Sequence, residues 1–163
     1  MKKALLPVLL ITVSLFLSSF STPGNNSLPV CSALNKALAD VKNHYESFKG
    51  EFIDKNDDGS GNYTLKIAFD GFSSNQYVTS EEGGYLELFN EHATKAKALT
   101  QYTTVAKQIE ACLGIKGEAV KQEGLERLQI YKKNGSEIVL TVIVVSEEKS
   151  LFIMTIEKET EQE

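Results

Sequence analysis

The segment Ile138–Val145, IVLTVIVV, constrains the fold of this chain more than any other stretch. Alternate residues of a β-strand point to opposite faces of its sheet, and here both faces are apolar. One face would carry Ile138, Leu140, Val142 and Val144, and the other Val139, Ile143 and Val145, with Thr141 as the single polar residue. Leu151–Ile156, LFIMTI, has a similar composition. Strands of this kind need cover on both faces of the sheet.

Turn signals arrange these segments in an antiparallel sheet. Asn134-Gly135 predicts a tight hairpin between strands at Leu125–Lys132 and Glu137–Val145, and Leu151–Lys158 continues the meander. Alternating or turn-bounded segments earlier in the chain predict further strands at Gly50–Asp54, Asn62–Phe69, Asn75–Thr79 and Gly84–Phe89.

Two apolar stripes at helical spacing predict two helices. The first helix is predicted over Pro29–Phe48 and the second over Ala98–Cys112, with Gly114 placed to terminate the second. The predicted fold class is therefore α+β, an antiparallel sheet of about five to seven strands with two antiparallel helices on one face. The expected order along the chain is helix, three or four strands, helix and three strands.

The two cysteines lie at matching ends of the predicted helices. Cys31 is near the start of the first helix and Cys112 near the end of the second, and both belong to the apolar stripes. Antiparallel packing of the helices would bring these ends together, which predicts a Cys31–Cys112 disulfide. Such a bond would stabilise the fold by on the order of 4 kcal/mol. Two buried free thiols are the alternative.

The first 21 residues have the pattern of a secretory signal peptide. Lys2 and Lys3 precede an apolar run over 4–20, and Ser19-Phe20-Ser21 offers a cleavage site. We therefore expect residues 22–163 to form one mature domain, with flexible ends at 22–28 and 159–163. The expected location is extracytoplasmic, periplasmic or secreted, without a membrane anchor after cleavage.

Two helices on one face of the predicted sheet leave its second face without a cover. The sheet could curl strongly and shield itself, or the face could bind a protein partner, a second copy of the chain, or an apolar ligand. The residues assigned to this candidate interaction face are Val139, Ile143, Val145, Phe152, Met154 and Ile156.

The segment Asp54–Leu65 resembles a calcium-binding loop in its first half only. Asp54, Asn56 and Asp58 occupy alternate positions and Gly59 follows, as in an EF-hand. Leu65 stands where the bidentate glutamate belongs, and the next residues alternate as a strand. A solvated hairpin turn is the favoured interpretation, with weak calcium binding as a secondary hypothesis. We expect no other cofactor.

Several function classes are disfavoured by what the sequence contains. Arg127 is the only arginine and the formal net charge is −5, which argues against a nucleic-acid partner. Two remote histidines, His44 and His92, do not have the spacing of a zinc site. The sequence contains neither a nucleophile elbow nor a phosphate-binding glycine loop.

The leading functional hypothesis is an exported, non-enzymatic interaction module. Its apolar sheet face would serve for self-association as a homodimer or for a protein partner. The alternative is a carrier of an apolar small molecule or lipid. An enzyme whose site no motif marks is a weaker alternative.

Overall fold

A computed structural model describes residues 27–81 and 83–159. The predicted signal peptide, 1–21, lies outside the described residues, as do residues 22–26 and 160–163. The described chain folds into one large antiparallel sheet of eight strands with two helices, so the predicted α+β class is confirmed.

The main sheet has the strand order β2-β3-β5-β6-β10-β9-β8-β7, and every neighbouring pair is antiparallel. A separate short parallel pair joins β1 to β4. The strands are β1 Ser27–Leu28, β2 Lys49–Lys55, β3 Gly61–Leu65, β4 Ala68–Phe69, β5 Ser74–Ser80, β6 Gly83–His92, β7 Glu118–Ala119, β8 Arg127–Lys133, β9 Ser136–Ser146 and β10 Lys149–Lys158; the helices are α1 Val30–Asp40 and α2 Lys95–Leu113.

The strand count exceeds the five to seven predicted because short segments carry no periodic signal. β7 has only two residues, Glu118 and Ala119, and it extends the sheet beyond β8. The predicted strand Asn62–Phe69 is divided into β3 and β4, because the chain turns away after Leu65. Residues 27 and 28, within the segment expected to be flexible, form β1. The observed order is accordingly longer than the expected one.

The first helix is shorter than predicted. α1 ends at Asp40, and two 3₁₀ turns at Val41–Asn43 and Glu46–Phe48 follow. His44 and Tyr45 between them have φ angles of 51° and 59°, which an α-helix does not accept. The apolar spacing nevertheless predicted burial correctly, because Val41, Tyr45 and Phe48 all belong to the core.

The second helix matches its predicted span closely. The Thr94 side chain accepts a hydrogen bond from the Lys97 backbone N–H at the start of α2. Gly114 ends the helix in a left-handed conformation with φ 66°, and its N–H bonds to the Glu110 carbonyl. The apolar residues of both helices and of one side of the sheet form a single core. We call this side of the main sheet the inner face and the opposite side the outer face.

The predicted disulfide is present. Cys31 in the first turn of α1 is bonded to Cys112 in the last turn of α2, with 5.7 Å between their Cα atoms. The bond joins two helix ends that are 81 residues apart in sequence. It therefore fixes the helices to each other on the inner face of the sheet.

Candidate interaction surface

Strand register assigns each side chain of the central strands to a face. Leu86 and Leu88 of β6 pair with Ile156 and Met154 of β10, and these four side chains are fully buried in the core. The residues between them therefore point outward. On the four neighbouring strands β6, β10, β9 and β8, the outer face consists of Tyr85, Glu87, Phe89 and Glu91 on β6, Leu151, Ile153, Thr155 and Glu157 on β10, Glu137, Val139, Thr141 and Ile143 on β9, and Leu128, Ile130 and Lys132 on β8.

The six residues assigned from sequence to one interaction face do not share a face. Val139 and Ile143 lie on the outer face, whereas Phe152, Met154 and Ile156 lie in the core with no exposure. Val145 lies at a β-bulge near the end of β9, where it has no paired residue on β10. The assignment of β10 is corrected because antiparallel register pairs Phe152 with Val142, a core residue, and not with Ile143. The outer residues of β10 are instead Leu151, Ile153 and Thr155.

The outer face is apolar at its centre and partly shields itself. Thr141 and Leu151 are only 4% and 7% exposed, although both helices of the described chain pack on the inner face. Val139, Ile143 and Ile153 are partly exposed, and Val145 at the end of β9 is 41% exposed. Thr141 lies between Leu128 and Ile153 of the neighbouring strands, and Leu151 lies between Glu91 and Ile143. The accessible apolar surface is concentrated on β9 and β10.

Ion pairs border this apolar centre at both ends of the strands. At one end, Lys149 Nζ lies 2.7 Å from Glu91 Oε2. At the other end, Lys132 Nζ lies 3.4 Å from Glu137 Oε2 and 2.8 Å from Glu159 Oε1. An apolar centre with a charged border is the usual arrangement of a protein–protein interface.

Among the described residues of the outer face, Glu87 stands out as an acidic side chain between two aromatic residues of the same strand. Its strand neighbours on the outer face are Tyr85 and Phe89, and Gln76 and Thr155 face it across β5 and β10. Among residues 27–81 and 83–159, no group donates a hydrogen bond to the Glu87 carboxylate or forms an ion pair with it. Burial alone raises the pKa of Glu87 above its ordinary value.

Tyr85 shares the environment of Glu87. Burial, with the nearby negative charges of Glu87, Glu157 and Asp58, raises the pKa of its hydroxyl. The phenol therefore stays protonated at physiological pH. A tyrosine is either neutral or anionic, so Tyr85 cannot supply a positive charge to Glu87 in any protonation state. Within the part of the chain that the structure describes, the outer face thus contains a carboxyl group with neither a hydrogen-bond donor nor an ion-pair partner.

The loop that resembles a calcium site uses its polar groups internally. The Asp58 carboxylate accepts hydrogen bonds from the Ser60 N–H at 2.8 Å and from the Ser60 hydroxyl at 2.6 Å. The Asn62 amide donates to Asp54 at 2.7 Å and to Asn56 at 2.9 Å. In the described ranges, no three Asp, Glu, His or Cys side chains are grouped as metal ligands. Weak calcium binding at this loop remains a prediction.

An aromatic cluster on the inner side of β2, β3 and β5 contains a lysine. Lys49 Nζ lies 4.5 Å from the centroid of the Tyr63 ring and 5.3 Å from that of Tyr77. Glu46 accepts a hydrogen bond from the Tyr77 hydroxyl at 2.9 Å and lies 3.4 Å from Lys49. The Lys49 ammonium group already lies over these rings. We therefore interpret the cluster as a cation–π interaction that stabilises the edge strand β2.

Two grooves lie along α2, on the helical side of the protein. The larger, of about 440 Å³, has Val30, Phe72 and Val105 at its base and Asp70, Gln101 and Gln108 among its polar lining residues. The smaller, of about 420 Å³, lies against Leu99 and Lys107. Both are separate from the outer face.

Comparison of the chain with protein-family models, with curated proteins and with solved structures gave no match. No helix in the described ranges is long and apolar enough to cross a membrane. The function is therefore inferred from the surface itself.

The sequence analysis did not identify Glu87. The segment YLELF, residues 85–89, nevertheless places a glutamate where a strand with two apolar faces would have an apolar residue.

Proposed function

We propose that the protein is an exported, non-enzymatic interaction module whose outer sheet face binds another protein. The observation that carries this proposal is the accessible apolar surface of Val139, Ile143 and Val145 beside Ile153, bordered by the ion pairs of Lys149 and Lys132. Surfaces of this composition bind partners through their apolar centre and gain specificity from the border.

Charge favours a different protein over a second copy of the chain. The formal net charge is −5, so two identical copies repel each other at neutral pH. A partner with a neutral or basic surface is not repelled in this way. The Cys31–Cys112 disulfide is compatible with an oxidising, extracytoplasmic compartment, which is where we expect this partner.

Site-specific photo-crosslinking in the producing cell tests the proposal. A benzoylphenylalanine side chain is placed at Val139 on the outer face and, as a control, at exposed Thr103 on α2. We expect position 139 to give a discrete adduct with another protein and position 103 to give none. An adduct of twice the chain mass would indicate self-association instead. Equal adducts at both positions, or none at 139, would contradict the proposed surface.

An affinity measurement then tests whether the crosslinked protein binds through this surface or only lies near it. The crosslinked protein is prepared in pure form, and its affinity is compared for the wild type and for Val145→Lys. Val145 is 41% exposed, so lysine at this position leaves the fold intact. We expect weaker binding by the variant, whereas unchanged affinity would place the binding surface elsewhere.

A further inference from the structure

We infer that the partner of the outer face inserts a lysine or arginine side chain next to Glu87, surrounded by apolar side chains of its own. This inference rests on the proposed function and adds the chemistry of the partner. It makes Glu87 the residue that determines which apolar segments the protein accepts.

The first argument is the isolation of the Glu87 carboxyl group. Gln76 and Thr155 face it across the neighbouring strands, but neither is hydrogen-bonded to it. In the free protein, water still reaches the side chain, which is partly exposed. A partner that covers the apolar centre removes this water, and a buried carboxylate without a counter-charge opposes binding. A cation on the partner removes the penalty.

The second argument is that the chain's own nearby lysines have other partners. Lys149 pairs with Glu91, and Lys132 pairs with Glu137 and Glu159. These pairs lie at the border, whereas Glu87 lies at the centre, opposite Thr155 in the middle of β10. Neither of these two described lysines is therefore left to pair with Glu87, and we expect the partner to supply the counter-charge.

The third argument is the shape of the side chains beside Glu87. Tyr85 and Phe89 precede and follow it on the outer face of β6, so aromatic rings lie on both sides of the carboxyl group along the strand. Lysine and arginine carry long apolar stems that pack on such rings while the charged group reaches a carboxylate. A neutral apolar ligand would contact the rings and leave Glu87 unpaired. A second copy bound through the same face would bring another Glu87, and its Lys132 and Lys149 are already paired with its own glutamates.

Peptide selection provides a test that does not require the natural partner. A phage-displayed library of disulfide-closed hairpin peptides with random strand positions is selected on the exported, disulfide-bonded protein. Peptides that compete with one another and lose binding to Ile143→Lys are assigned to the outer face. The affinity of these peptides is then measured for wild type, Glu87→Gln and Glu91→Gln. Glu91→Gln is the matched control, since it removes a border carboxylate that already has a lysine partner.

We expect the outer-face peptides to carry one lysine or arginine flanked by apolar residues, and selection on Glu87→Gln to lose this basic position. Affinity should fall by roughly 30-fold for Glu87→Gln and by less than about threefold for Glu91→Gln. Outer-face peptides without a basic residue, or with equal affinity for wild type and Glu87→Gln, would overturn this inference and leave the proposed function intact. Absence of any peptide sensitive to Ile143→Lys would overturn both.

Discussion

Glu87 and Glu91 project from the same face of β6, yet only Glu91 meets a lysine. The Glu91 carboxylate lies 2.7 Å from Lys149 Nζ at the border of the outer face. Glu87 lies between Tyr85 and Phe89 along β6, faces Gln76 and Thr155 on the neighbouring strands, and forms no ion pair with any described residue. The two residues therefore have opposite consequences for the protein. Glu91 completes the charged border of the outer face, whereas Glu87 is a carboxyl group without an ion-pair partner among the described residues.

The stability of the protein should depend on pH through Glu87. Burial raises the pKa of this carboxyl group in the folded state, so the folded protein keeps a proton that the unfolded chain releases. The contribution of Glu87 to the free energy of unfolding is therefore most favourable below its ordinary pKa of 4.5 and declines as pH rises through the raised value. We expect Glu87→Gln to be more stable than wild type at pH 7 and to lose this advantage towards pH 4.

Urea unfolding of both proteins from pH 4 to pH 8 measures this difference. Glu91→Gln serves as the control, and we expect its stability to follow the wild-type pH dependence closely because the exposed border ion pair contributes little. A constant difference between Glu87→Gln and wild type at every pH would contradict the prediction.

Because the strands have one buried and one partly exposed face, substitutions to alanine on the two faces should lower the free energy of unfolding by different amounts. Met154 has no exposure in the core, so Met154→Ala should destabilise the protein by about 3 kcal/mol. Ile143 is partly exposed on the outer face, and Ile143→Ala should cost about 1 kcal/mol. Free energies of unfolding from urea titration test the assignment. Equal losses would mean that these residues share a face, as the sequence interpretation had grouped them.

The disulfide should account for much of the stability of the fold. Its loss from a Cys31→Ser, Cys112→Ser double variant should cost about 4 kcal/mol, because the bond restricts a long loop of the unfolded chain. Reduction of wild type with dithiothreitol should give the same loss. If urea unfolding shows a difference below 1 kcal/mol in both experiments, the bond would not be a main source of stability.

Tyr45 and Ser136 should be energetically coupled. Their hydroxyl groups lie 2.9 Å apart in the core, and burial raises the pKa of Tyr45 to about 12. Each of Tyr45→Phe and Ser136→Ala leaves the other residue without this hydrogen bond, which should cost about 1–2 kcal/mol. The double variant should lose less than the sum of the single losses. Strict additivity in this double-mutant cycle would mean that the hydroxyl pair makes no net contribution.

Periodic apolar patterns and the cysteines were sufficient to predict the class of the fold. The α2 stripe, the hairpin at Asn134-Gly135 and the Cys31–Cys112 bond all agree with the structure. Short elements were not predictable, because two-residue strands such as β7 have no period. The end of α1 at Asp40 depends on tertiary packing that allows left-handed His44 and Tyr45, which a residue-by-residue pattern does not reveal.

The candidate surface was only partly predictable for a related reason. A strand that is apolar on both sides, such as β10, does not indicate which side faces the helices. Register with β9 and β6 decides this, and it places Phe152 inside and Ile153 outside. Glu87 remained unnoticed because the chain contains many glutamates, and only the sheet identifies the one that lies at an apolar centre.

The most direct test of the binding surface compares one substitution on each side of the protein. The purified protein that crosslinks through position 139 is titrated into wild type, Ile143→Lys on the outer face, and Lys107→Glu on the exposed side of α2. We expect Ile143→Lys to weaken the affinity by roughly 30-fold or more and Lys107→Glu to change it by less than about threefold. A large loss with Lys107→Glu and none with Ile143→Lys would place the binding surface on the helices and contradict the account.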